Sequence, residues 1–248
     1  MRQPGVFMKK RPQLKNNLRS VHALAMDIFG TVVDWRGSII TEGKRLKSSI
    51  DWPRFADGWL TGYRSRVEEV RTGHRPWANL DVLLAETFDN LVKDFHLSSI
   101  NPKKLAHFSL VWHRLRPWPD CLPGLKRLRR RFTLGTLSNG NMILLTDMER
   151  NAHLPWDCVL SAELVEKYKP EPEPYLLAVQ AMGPRPEQVM YVAAHDWDLA
   201  AGAEKAQMKT AYIPRPKEMP GDSSVLKANP SFDVNATDFE DLADQLGA

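Results

Sequence analysis

An apolar run over residues 21–29 (VHALAMDIF) ends in Gly30-Thr31, the pattern of a buried strand that enters a turn. Asp27 therefore falls at the strand's carboxyl end. Four segments of helical periodicity follow with no strand between them, over residues 37–49, 52–72, 80–95 and 102–115. After residue 119 the texture alternates. Helices are predicted over 122–130, 142–152, 173–182, 197–206 and about 239–246, and strands over 132–137, 158–161, 189–193 and 209–213. Strands alternating with helices predict a parallel sheet covered on both faces. The expected class is α/β, a doubly wound sheet with a Rossmann-type core and an inserted all-helical cap. The expected division is a basic extension over 1–20, a core over 21–35 and 117–248, and a cap over 36–116. The linkers lie near 33–36 and 115–119, the second carrying two prolines.

Composition changes this picture little. The 248 residues are 43% hydrophobic and 26% charged, ordinary for a soluble globular chain, with 8 Trp against 5 Tyr. The net charge of +4 is concentrated in Arg2, Lys9, Lys10, Arg11, Lys15 and Arg19, which have no acid among them. That segment lacks the apolar stretch of a secretory signal and reads as a disordered tail. The remainder is near neutral, so no nucleic-acid partner is expected. No run approaches the ~18 apolar residues of a membrane span. Cys121 and Cys158 stand far apart with no metal-ligand spacing around them, which argues against a disulfide framework or zinc site and for a reducing cytoplasm.

In open α/β sheets ligands bind outside the carboxyl ends of the strands. Four polar clusters fall there: Asp27-Ile-Phe-Gly-Thr31, Ser138-Asn139-Gly140, Lys169 with Tyr175, and Ala194-His195-Asp196-Trp197-Asp198. Each alone is a common turn or cap. Their order and spacing together are specific, and from about residue 22 onward the chain resembles the haloacid dehalogenase superfamily, within it the type II L-2-haloacid dehalogenases. The carriers are Asp27-Ile28-Phe29-Gly30-Thr31, Leu137-Ser138-Asn139-Gly140, Tyr168-Lys169-Pro170 with Tyr175, and the Trp197-Asp198 ending of the fourth motif.

The resemblance implies hydrolytic dehalogenation of short 2-haloalkanoic acids without metal or cofactor. Asp27 would attack the α-carbon and expel halide, and water would then cleave the aspartyl ester. Lys169 would keep Asp27 ionised, Asp198 would hold Lys169 and position water, and Thr31, Ser138 and Tyr175 would orient the reacting groups. Phe29, Asn139, Trp197, Trp59 and Arg64 are the expected substrate or halide contacts. The resemblance also implies a homodimer.

Several positions depart from the pattern. Phosphatases of the superfamily carry a second Asp two residues after the nucleophile, where Phe29 stands, and an acid four residues before the position of Asp198, where Ala194 stands. A magnesium-dependent phosphatase is thus the alternative activity, and a repurposed, non-catalytic protein of the same fold is another. Type II dehalogenases place a halide-binding Arg directly after a cap Trp; here Leu60 follows Trp59. An arginine introduced at Leu60 is accordingly expected to raise activity, with Arg64, one turn further on, the native candidate for the missing cation. Ala193 and His195 replace a family Ser and Asn. His195 has the ionisation range to serve halide or water, or to be a structural histidine. Trp59, Tyr63, Trp77, Trp112 and Trp118 are expected mainly to pack cap against core.

Overall fold

A computed structural model describes residues 18–183, 185–219 and 228–248. Most of the basic extension expected over 1–20 lies outside these residues. The central sheet contains β1 (Ala23–Met26), β4 (Thr133–Thr136), β5 (Val189–Ala193), β6 (Lys209–Tyr212) and β7 (Val234–Asn235), in the order β4-β1-β5-β6-β7. All neighbours are parallel, with Met26 opposite both Thr136 and Val192. Such strands are apolar on both faces because helices cover both, and β1 is buried throughout. Its two-residue period divides the core. Leu24 and Met26 join Met190 and Val192 in one apolar cluster, whereas Ala23 and Ala25 join Val189, Tyr191 and Ala193 in the other.

α5 (Cys121–Leu128) packs on α9 (Phe239–Gln245), and α7 (Pro172–Met182) packs on α8 (Asp196–Ala206). α6 (Met142–Ala152) follows β4. The chain leaves β1 toward β4 but leaves β5 toward β6, so the connections diverge between two adjacent strands. A crevice opens at such a switch point, and the loops that begin at Asp27 and Ala194 flank it.

The inserted helices are α1 (Trp35–Leu46), α2 (Trp52–Arg71), α3 (Leu80–Asp94) and α4 (Pro102–Ser109), with a short 3₁₀ turn over Val111–Arg114. Local signals set their starts. The side chains of Asp34, Asp51, Asn79 and Asn101 each accept a first-turn backbone N–H, and Pro53 and Pro102 occupy first-turn positions that lack an N–H requirement. An aromatic layer of Trp52, Phe55, Trp59, Phe88 and Phe108 fills the space between them.

Four features differ from the sequence expectations, the first being β7, an edge strand that no predicted element covers. The two linkers pair with each other: β2 (Val33–Asp34) and β3 (Arg116–Pro117) form an antiparallel ribbon at the neck of the insertion. The helix expected over 102–115 breaks after Ser109 into the 3₁₀ turn. The strand expected over 158–161 is reduced to isolated bridges at Gly135–Cys158 and Ser138–Ser161. There the Thr136 hydroxyl donates to Leu160 O and accepts from Leu160 N, both at 2.8 Å. A side chain thus takes the backbone groups that a regular ladder would use.

Candidate active site

The first cluster grows directly out of β1. Asp27 follows Met26, and the turn after it depends on Gly30, whose φ of 86° lies in the left-handed region open to glycine. The turn closes through Val32 N and Val33 N, which both donate to Ile28 O. Thr31 is returned beneath Asp27: its hydroxyl donates to Asp27 Oδ2 at 2.6 Å and accepts from Ala194 N at 2.8 Å. The first and fourth motifs are tied by that one side chain.

Lys169 is held by its own backbone, since Lys169 N donates to Asn139 Oδ1 at 2.8 Å. Its ammonium lies 2.9 Å from Asp27 Oδ1, 2.6 Å from Asp198 Oδ2 and 2.6 Å from Tyr191 OH. Tyr175 OH donates to Asp198 Oδ1 and Tyr191 OH to Asp198 Oδ2, each at 2.6 Å. Asp198 thus receives one donor on Oδ1 and two on Oδ2. All five groups are buried, and an isolated buried charge is costly unless paired and hydrogen-bonded. Burial opposes ionisation of Asp27, but Lys169 and His195 outweigh it and hold the carboxyl well below the usual carboxylate range. Burial likewise opposes the charge on Lys169, and Asp198 with Asp27 overcomes it, so its pKa is raised. A carboxylate that is charged yet removed from water is the state a nucleophile requires.

On the other side of Asp27, His195 Nδ1 stands 3.6 Å from Asp27 Oδ2, and Nε2 lies 3.0 Å and 3.3 Å from the two oxygens of Glu218. Trp35 Nε1 donates to Glu218 Oε1 at 2.9 Å. Trp197 stacks near His195, with ring centres 6.1 Å apart.

These groups open on a cavity of about 310 Å³ between the ends of the strands and α2. That is the lower end of the ~300–1,000 Å³ of small-molecule sites. Of the residues expected from the sequence, Asp27, Phe29, Arg64, Asn139, Lys169, His195, Trp197 and Asp198 line it. Thr31 and Tyr175 do not reach it, and act on Asp27 and Asp198 from within the protein. Ser138 is also buried behind the wall, where its Oγ accepts from Gly140 N at 3.1 Å and shapes the turn.

Trp59 and Leu60 are placed differently from expectation. Both lie in the buried apolar cluster rather than along the cavity, and Trp59 Nε1 donates to Leu84 O at 3.0 Å. The stripe of α2 that faces the cavity is Tyr63, Arg64, Val67, Glu68 and Arg71, roughly a turn further along the helix. Arg71 is committed to Glu171 at 2.8 Å and to Glu68. Arg64 is exposed and has no ion pair among the described residues. Sequence reasoning missed Glu218, Tyr191 and Trp35. Tyr191 had a signal, a hydroxyl inside the apolar strand VMYVA; Glu218 lies in a loop with no pattern to mark it.

Phe29 and Ala194 offer no side-chain oxygen where a magnesium-dependent phosphatase places carboxylates, and the cation between Asp27 and Asp198 is the chain's own ammonium. The residues present do not fit a magnesium site.

Residues 21–204 match the family of haloacid dehalogenase-like hydrolases. Among curated relatives, haloacetate dehalogenase H-2 of Moraxella sp. (strain B) is 30% identical over 211 residues, covering 80% of this chain and 88% of that protein. The solved structure of the L-2-haloacid dehalogenase PA0810 is 40% identical, covers 91% of this chain and 99% of its own, and superposes with a TM-score of 0.85. That of the defluorinating L-2-haloacid dehalogenase Rha0230 is 38% identical, covers 96% and 100%, and gives a TM-score of 0.86.

Proposed function

The chain belongs to the haloacid dehalogenase-like hydrolase family, and from that premise we propose that it hydrolyses short 2-haloalkanoic acids to 2-hydroxy acids through an ester on Asp27. The observation that carries the reading is the Asp27 carboxylate, paired with Lys169 at 2.9 Å and exposed only to a small cavity. The names of the relatives support the substrate class.

In the first step an Asp27 oxygen forms a bond to the α-carbon while the carbon–halogen bond breaks and halide leaves with its electron pair. Lys169 keeps the attacking group ionised, and Thr31 fixes the plane of its carboxyl. Holding nucleophile and electrophile in one geometry removes much of the entropic barrier. The substrate carboxylate and the departing halide are both anions, and Arg64 is the unpaired cation on the cavity wall. In this reading it takes the role that Leu60 cannot fill. In the second step water attacks Asp27 Cγ, releasing the 2-hydroxy acid and restoring the carboxylate.

Halide release from chloroacetate and 2-chloropropionate, measured with a chelator present, tests this directly. We expect turnover by the native protein and at least a ~10³-fold loss in Asp27→Asn, since the amide is a far weaker nucleophile. Chelator-sensitive hydrolysis of an aryl phosphate, with no halide release from any haloacid, would overturn it.

A further inference from the structure

We infer that His195, oriented by Glu218, is the base that activates water for cleavage of the Asp27 ester. This deepens the dehalogenase reading and rests on it.

Three observations converge. First, the second step needs an acceptor beside Asp27, and the expected one is already engaged: Asp198 receives Lys169, Tyr191 and Tyr175. Its charge is already directed at an ammonium and two hydroxyls inside the protein. The Thr31 hydroxyl is spent on Asp27. Second, His195 presents Nδ1 toward Asp27 Oδ2 at 3.6 Å, while Nε2 is fixed on Glu218 at 3.0 Å. A carboxylate holding one ring nitrogen as N–H leaves the lone pair on the other, and so sets the useful tautomer.

Third, Glu218 is built into the fold for this position. It is 6% exposed and accepts from Trp35 Nε1 at 2.9 Å. A Cβ on Gly30 would stand 2.1 Å from its Oε1, so the glycine of the first motif admits the carboxylate to the site. A buried carboxylate that faces a histidine and an indole is costly as mere packing.

The protons balance as follows. In the free enzyme burial opposes protonation of His195, but Asp27 and Glu218 outweigh it and lift its pKa to about 10, so the ring is an imidazolium. Ester formation consumes the Asp27 charge. With one anion gone the ring binds its second proton less tightly, and the Nδ1 proton passes to solvent while Nε2–H stays on Glu218. Water then gives a proton to Nδ1 as its oxygen bonds to Asp27 Cγ. Collapse of the adduct breaks the bond from Cγ to the ester oxygen, and the departing 2-hydroxy oxygen takes the proton from Nδ1. Asp27, regenerated as the acid, returns its proton to Nδ1. The sum is haloacid anion plus water giving hydroxy acid anion, halide and one proton. The charged groups around the ring are Asp27 on the β1 end, Glu218 after β6, Lys169 paired with Asp27, Asp198 paired with Lys169, and Asp34 near Glu218. Tyr63 and Arg64 of α2 line the same cavity.

The test separates the two half-reactions, by rapid mixing with chloroacetate and mass analysis of the quenched Asp27 peptide. His195→Asn should lose less than tenfold in first-turnover halide release but ~10²–10⁴-fold in steady turnover, with the ester accumulating on Asp27. Glu218→Gln, close to isosteric, should show the same pattern because its amide stabilises the wrong tautomer. In the native protein ester cleavage should rise with pH through the ring's ionisation while the halide burst stays flat, and Glu218→Gln should displace that rise. Wild-type turnover in His195→Asn, or no ester together with equal loss in both phases, would overturn the inference. Absence of halide release from the native protein would instead remove the dehalogenase reading, and this step with it.

Discussion

Leu60 and Arg64 are four residues apart on one helix, yet they belong to different environments. Leu60 is buried among the aromatics of the inserted helices, whereas Arg64 lines the cavity. Leu60→Arg would thus force a charge into an apolar layer without a partner. It is expected to lower the Tm and to leave halide release no higher, contrary to what the sequence pattern alone suggests. Arg64→Gln is expected to reduce kcat/KM for chloroacetate by ~10²–10³, the usual cost of one donor to developing negative charge. A stable, faster Leu60→Arg variant would show that this position does face the substrate. The sequence could name Asp27, Lys169 and Asp198 because motif spacing ties them to strand ends. It could not separate positions 59 and 60 from 63 and 64, because neighbouring helical turns share a periodicity. Nor did any local pattern mark Glu218, whose proximity to His195 arises only when the chain after β6 folds back against Gly30.

At the level of elements, α3 joins the inserted helices to the core. Asp81 N and Asp81 Oδ2 both engage Asn141, Asn79 Nδ2 donates to Glu163 Oε1 at 3.1 Å, and Tyr168 OH donates to Ala78 O at 2.8 Å. His113, in the 3₁₀ turn, bridges Asp81 at 3.1 Å and Asp147 of α6 at 2.9 Å. The hydrogen bond that His113 donates to Asp81, with the one to Asp147, outweighs burial and raises the pKa of His113 above its ordinary 6.5. A histidine raised in the folded state contributes stability that is complete below the unfolded pKa and is lost as pH rises through the folded one. The difference in Tm between the native protein and His113→Gln is therefore expected to shrink as pH rises above about 6.5. A pH-independent difference would assign His113 a packing role alone. The helices themselves were legible from their apolar periodicity, although the first begins at Trp35, after the Asp34 cap, rather than at residue 37. The ribbon of β2 with β3 was not, since its two strands lie about eighty residues apart and have two residues each.

Across the whole molecule the sequence revealed the strand-and-helix alternation, and the sheet order follows the switch point that such alternation implies. The strand expected over 158–161 gave way to isolated bridges through a tertiary detail, the Thr136 hydroxyl. The assembled site brings anionic and cationic groups from the end of β1, α2, the loop before α7 and α8 to one cavity, with Glu218 after β6 behind His195. What unites them is the covalent step assigned to Asp27, and isotope transfer reads that step most directly. A single turnover of a 2-chloro acid by excess enzyme in H₂¹⁸O, followed by mass analysis of the peptide containing Asp27, should place one heavy oxygen in its carboxylate and leave the product hydroxyl light. Heavy oxygen found only in the product would mean that water attacks the substrate itself, and would contradict the account.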